Sequence, residues 1–181
     1  MRCFIAIDID DQKLLDNLNK VAIMLNLQGV KPVERENMHI TLRFLGEISD
    51  PLVQEVIENL KHVSYKEFQV RVMGLDAFPN SRWPRVVWAG IKEGHSELIQ
   101  LQAIIENEIQ SLNLRLEREK FHPHVTIARV KDRRSLSKVI EILNNFKEEE
   151  FGSFRAKDFS LKQSILTPHG PIYKDIVRFK L

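Results

Sequence analysis

Apolar residues recur along this chain in two alternating rhythms, and the same succession occurs twice. The run from Arg2 to Ile9 reads as a buried strand, and Leu14, Leu15, Leu18, Val21, Ala22 and Leu25 then fall on one helical stripe. Asp10 or Asp11 is expected to cap that helix, and Gly29 and Pro32 to end it. Strict alternation resumes from about Asn37 to Leu45, where Gly46 closes a second strand. Ser49 or Asp50 followed by Pro51 opens a helix whose inward face is Leu52, Val53, Val56, Ile57, Leu60 and Val63. A strand from about Phe68 to Phe78 completes the first half. After the turn-forming loop Pro79 to Pro84, a strand begins at Val86, and Ser96 precedes a helix carrying Leu98, Leu101, Ile105, Ile109 and Leu112. A strand from about Phe121 to Val130 and a helix with Leu136, Val139, Ile140, Leu143 and Phe146 follow. Two last strands are predicted near Phe154–Leu166 and Ile172–Leu181.

Within this pattern one short motif is duplicated. Met38-His39-Ile40-Thr41-Leu42 and Pro123-His124-Val125-Thr126-Ile127 each set a His-x-Thr among aliphatic residues, 85 positions apart. On a strand the imidazole and the hydroxyl share one face while the aliphatic residues point into a core. Leu136 follows Pro51 at the same offset, so the chain reads as two similar halves, about 1–80 and 81–181. Packed about an approximate twofold axis, they would bring the two His-x-Thr faces together across a central groove.

Charge and cysteine content narrow the setting. A net charge of +2 with a pI near 8.7 is only mildly basic, so nucleic-acid contact would need a local patch. Between Arg115 and Arg134 seven basic residues stand against three acidic ones, and Arg82, Trp83 and Arg85 form a basic, aromatic loop. Each reads equally well as an RNA contact or as a solvated surface. Cys3, with no partner in the chain, reads as a small buried hydrophobe and favours an intracellular protein. The opening apolar run is too short for a secretory signal, and no run is long enough to span a bilayer, so a cytoplasmic location is expected.

Two histidines on facing surfaces can be present near neutral pH as one imidazole and one imidazolium. Such a pair can take a proton from a nucleophile on one side of a phosphorus atom and give one to the leaving group on the other. Thr41 and Thr126 would then donate to the non-bridging oxygens. The pattern calls for no metal or other cofactor. A metal reading of His122-Pro123-His124 lacks carboxylates or cysteines nearby. His122 is expected to orient or shield the site, and His62, His95 and His169 to be solvated. By strict alternation Arg43 shares the face of His39, and Arg129 faces away from His124 unless the strand ends or bulges by Ala128.

The runs Arg2 to Asp8, His39 to Gly46, Phe78-Pro79 through Arg85 to Gly90, Pro123 to Arg129 and Gln163 to Tyr173 together resemble the 2H phosphoesterase superfamily. They are similar in particular to its RNA 2′,3′-cyclic phosphodiesterases, also called 2′-5′ RNA ligases, over nearly the full length. The resemblance implies a single α+β domain of two pseudo-symmetric lobes, each a mainly antiparallel sheet with two outer helices. It implies hydrolysis of a terminal 2′,3′-cyclic phosphate on RNA to a 2′-phosphomonoester, with His39 as proton donor, His124 as acceptor and Arg129 as a phosphate ligand. A monomer acting on such RNA ends, with no membrane association, is expected. The same residues permit the reverse reaction, 2′-5′ ligation, and a non-catalytic protein binding RNA ends is the alternative from a different class.

Overall fold

The computed structural model describes residues 1–181, and its nine strands fall into two antiparallel sheets. The first sheet has the order β3 (His39–Glu47), β1 (Arg2–Asp8), β8 (Asp158–Thr167), β9 (Gly170–Lys180). The second has the order β2 (Val30–Pro32), β6 (His124–Val130), β5 (Val86–Ile91), β4 (Phe68–Phe78), β7 (Glu150–Ala156). Helices α1 (Gln12–Met24) and α4 (Leu136–Asn145) pack on the second sheet. Helix α3 (His95–Ile109) packs on β3 of the first, with α2 (Asp50–Leu60) beside it. The α+β class and the pairing of two helices with each sheet are as expected.

The composition of the sheets is not. Each takes strands from both halves of the chain, so the sheets do not correspond to residues 1–80 and 81–181. Two elements escaped the sequence pattern. β2 is a three-residue edge strand, which tolerates Pro32 because an edge needs fewer ladder donors. The run expected near Phe154–Leu166 is two strands, since β7 pairs with β4 and, after Lys157, β8 crosses to β1 in the other sheet. The apolar phase shifts at the crossing, since the non-buried Lys157 and Asp158 follow one another between the buried Ala156 and Phe159, and this break marks the end of β7.

Local chemistry explains where the helices begin. Asp11 accepts a hydrogen bond from Leu14 N at 2.8 Å and Ser49 one from Leu52 N at 3.4 Å, with Pro51 in the first turn of α2. α3 starts at His95, and its cap is Gly94, not Ser96. Gly94 has φ +89°, and a Cβ there would lie 2.6 Å from Gln69 O, so only glycine makes this turn from β5 into the helix. The predicted apolar stripes face inward: Leu98, Leu101 and Ile105 are fully buried, as are Val53, Val56 and Leu60. On α4 the buried set is Val139, Ile142 and Leu143, with Ile142 taking the place expected for Ile140. One apolar cluster of 43 residues connects these helices to both sheets, so truncating a central member such as Ile5 to Ala would cost about 2–5 kcal/mol.

Candidate active site

Strand β3 pairs with β1 and β6 with β5, so each His-x-Thr motif lies beside a second strand of its own sheet, and β3 and β6 pack against one another. Both strands bulge immediately after the threonine. Thr41 and Arg43 oppose Ala6 and Ile5, leaving Leu42 extra; Thr126 and Ala128 oppose Trp88 and Val87, leaving Ile127 extra. A bulge reverses alternation beyond it. Arg129 therefore pairs with Val86, on the same face as Trp88, Thr126 and His124, and is exposed there. The same device turns Arg43 away from His39. It is 3% exposed and is held by Glu106 at 2.8 Å, the Phe44 carbonyl at 2.5 Å and the Arg115 carbonyl at 2.8 Å. Arg43 is thus a structural residue, and Phe44, 55% exposed, occupies in the first motif the place of Arg129 in the second.

Each histidine is fixed through Nδ1. His39 Nδ1 lies 2.7 Å from the Asn37 carbonyl, and His124 Nδ1 lies 2.5 Å from the His122 carbonyl. A carbonyl can only accept, so the proton sits on Nδ1 in both neutral rings and Nε2 is the free basic nitrogen. His39 Nε2 is 2.8 Å from Thr41 Oγ1, while Thr126 makes no corresponding bond to His124.

The rings are walled by aromatic side chains. Phe4 and Tyr173 lie 5.2 and 5.3 Å from His39, Tyr173 edge-on. Phe78 meets His124 edge-on at 5.1 Å, and Trp88 lies at 5.8 Å. His122 acts mainly through its backbone, its ring being exposed against Trp88 at 4.9 Å. His95, expected to be solvated, is half-buried with its ring 6.1 Å from that of His122.

Beside His39 is a charged network that sequence reasoning missed. Asp8 is the cross-strand partner of His39, and Lys162, 7% exposed, reaches Asp8 at 3.0 Å and Asp175 at 2.6 Å. Arg178 joins Asp175 at 3.1 Å. Asp8, Lys162, Tyr173, Asn37 and His39 line a cavity of about 170 Å³. A lysine directly after the buried Phe159-Ser160-Leu161 was the available signal, but its partners are 13 and 154 positions away.

Burial pushes both histidines below their ordinary value, because a desolvated imidazolium is disfavoured. At His39 the Asn37 carbonyl and the Asp8 carboxylate act in the opposite direction, while Lys162 and His124 add to the lowering. At His124 the His122 carbonyl opposes the effect of burial, while the His122 ring and Arg129 reinforce it. Burial pushes Tyr173 up, and Arg129 and Arg2 partly offset this, so the Arg129 guanidinium acts on Tyr173 as well as on His124. Burial also works against the Lys162 ammonium, but its hydrogen bonds to Asp175 and Asp8 prevail and its pKa is raised. No three His, Cys, Asp or Glu side chains converge where they could hold a metal ion, and no helix is long and apolar enough to cross a membrane.

Two antiparallel sheets bringing together duplicated His-x-Thr strands, each histidine latched through Nδ1, describe a two-motif protein of a recognisable kind. Residues 13–163 match the family model of the 2′-5′ RNA ligase superfamily, and the chain belongs to that family. It is 41% identical to an Archaeoglobus fulgidus protein named RNA 2′,3′-cyclic phosphodiesterase over 183 aligned residues, 99% of this chain and 100% of that one. A protein of the same name from Aeropyrum pernix is 42% identical over 83% of this chain and 86% of its own. Among solved structures, one from Thermus thermophilus superposes with a TM-score of 0.84 at 25% identity, covering 100% of this chain and 98% of the other. E. coli LigT complexed with 3′-AMP superposes with a TM-score of 0.82 at 22% identity, covering 99% and 97%, which shows the fold.

Proposed function

We propose that this chain hydrolyses 2′,3′-cyclic phosphate ends of RNA to 2′-phosphomonoesters, with His39 and His124 as the acid and base. The observation that carries this reading is the pair of Nδ1 latches. They leave two Nε2 atoms as the titrating positions on strands that pack against one another. The names of the relatives add the substrate class.

In this mechanism the cyclic diester lies between the two rings. His124 Nε2 takes a proton from water as the water oxygen bonds to phosphorus. The bond from phosphorus to O3′ breaks on the opposite side, and His39 Nε2 gives its proton to that oxygen. Each half of the exchange contributes about 10²- to 10⁴-fold. The charges support this direction: at His39 the Asp8 carboxylate favours a proton against Lys162, whereas at His124 the His122 ring and Arg129 both disfavour one. Before substrate binds, the Nε2 proton of a charged His39 rests on Thr41 Oγ1, whose own hydroxyl hydrogen is then free for a non-bridging oxygen. Thr126 offers the matching hydroxyl, and Arg129 supplies a charge for the phosphoryl group. Both histidines come from one chain, and the chemistry requires no metal.

The test is incubation with a defined oligonucleotide ending in a 2′,3′-cyclic phosphate, with and without EDTA. Conversion to a 2′-phosphate, undiminished by chelation, is expected. A 3′-phosphate product, or loss of turnover in EDTA, would overturn the mechanism. Tight binding with no turnover would leave a protein that recognises RNA ends. Appearance of a 2′-5′ linkage to a 5′-hydroxyl strand would show the same exchange running backward.

A further inference from the structure

One surface feature, Arg129 apart, is not used by this chemistry. At the end of the second sheet where β6 leaves the site and β5 begins, Arg82, Trp83, Arg85, Arg129, Lys131 and Arg133 are all exposed, and none of them is in an ion pair. Other arginines of the chain, such as Arg35, Arg43, Arg71 and Arg155, have carboxylate partners, as does the neighbouring Arg134, which is bound to Asp132 at 2.9 Å. The fold itself assembles the group. The Val130 amide donates to the Arg85 carbonyl at 2.8 Å, joining the two strand ends, and Asn80 Oδ1 accepts from Arg82 N and Trp83 N at 3.0 Å, fixing the loop. Arg133, fifty positions from Trp83, places its guanidinium 5.0 Å from the indole centroid, yet Trp83 remains 54% exposed. An aromatic ring held by a cation and left open to solvent, among unpaired cations, suits one occupant: a single-stranded polyanion with stackable bases.

We infer that this surface is a track for the body of a single-stranded RNA whose 3′ end sits between the histidines. The inference rests on the phosphodiesterase reading above. The direction follows from charge. Arg129 is the last groove-facing residue of β6, opposite Val86 where His124 is opposite Gly90, or about 13 Å along the sheet, and Trp83, Arg85 and Lys131 lie beyond it. Asp8 stands beside His39, and Asp175 and Asp158 stand behind it around Lys162 and Arg178, which they already engage, so this side would repel phosphates. The strand therefore leaves over the β5–β6 end. Phosphates contact Arg82, Arg85 and Arg133, and a base stacks on Trp83.

The test compares a nucleoside 2′,3′-cyclic phosphate with an oligonucleotide of about six residues carrying the same cyclic end, in the full-length protein. The oligonucleotide should have a KM lower by about tenfold or more, with a steep dependence on salt, while the mononucleotide responds weakly. Trp83→Ala and Arg133→Ala should each remove about fivefold or more of that advantage. Arg133→Ala should also lower the log–log salt slope by about 0.7, and Trp83→Phe should restore most of the loss. Equal KM values for the two substrates, or an oligonucleotide KM indifferent to both alanine variants, would overturn the track and leave the reaction standing. Failure to hydrolyse either substrate would instead sink the phosphodiesterase reading.

Discussion

His39 and His124 each donate Nδ1–H to the carbonyl two residues earlier, yet their Nε2 atoms meet different surroundings. His39 is bonded to Thr41, sits beside a carboxylate that a buried lysine holds in place, and is packed by Phe4 and Tyr173. His124 has no hydrogen bond to Thr126 and lies among Arg129, His122 and Trp88. Duplication supplies two histidines latched in the same way, and the strands around them give each a different electrostatic setting. The difference arises mostly from residues outside the repeated motif: Asp8, which raises the proton affinity of His39, and Lys162, which lowers it, on one side, and His122 and Arg129 on the other.

Breaking the pair itself should have the largest effect. His39→Ala and His124→Ala should each lower kcat about 10²- to 10⁴-fold. The double variant should lose little more than either single one, as measured by single-turnover hydrolysis, because the two act as a unit. Multiplicative losses would argue against a shared exchange.

Arg43 and Arg129 separate structure from binding. Arg43→Ala should lower stability by about 3 kcal/mol in denaturant titration, because two carbonyls and a carboxylate lose a buried partner. Arg129→Ala, at an exposed position, should leave the unfolding midpoint nearly unchanged and lower kcat/KM about 10- to 100-fold.

Asp8→Asn sharpens the asymmetry. It removes the charge that helps His39 stay protonated, so the alkaline limb of the kcat/KM profile should move to lower pH while the acid limb, belonging mainly to His124, stays. In the wild type the bound anion should restore proton affinity lost to burial, placing the alkaline limb of kcat above that of kcat/KM. Coincident limbs would count against burial as the cause.

The smallest expected effect is on stability. Both imidazoles titrate below 6.5 when folded and near that value when unfolded, so at low pH the unfolded chain binds more protons. Stability should be unaffected by these groups well above pH 6.5 and should fall as pH drops through about 6.5. The double alanine variant should lose that part of the dependence in urea titrations at several pH values.

The chain's own pattern determined the four helices, most of the strands and the twin motifs, because periodicity and caps such as Asp11 and Ser49 are local. It also singled out His39, His124, Thr41, Thr126 and Arg129 as candidates for the site. What only the tertiary structure decided depends on pairing between distant segments. The bulges at Leu42 and Ile127 turn Arg43 inward and Arg129 outward, and they are visible only against β1 and β5. The crossing at Lys157, the lysine that links Asp8 to Asp175, and the guanidinium over Trp83 likewise join residues far apart in the chain. Alternation records which face a residue prefers, but register decides what stands opposite it.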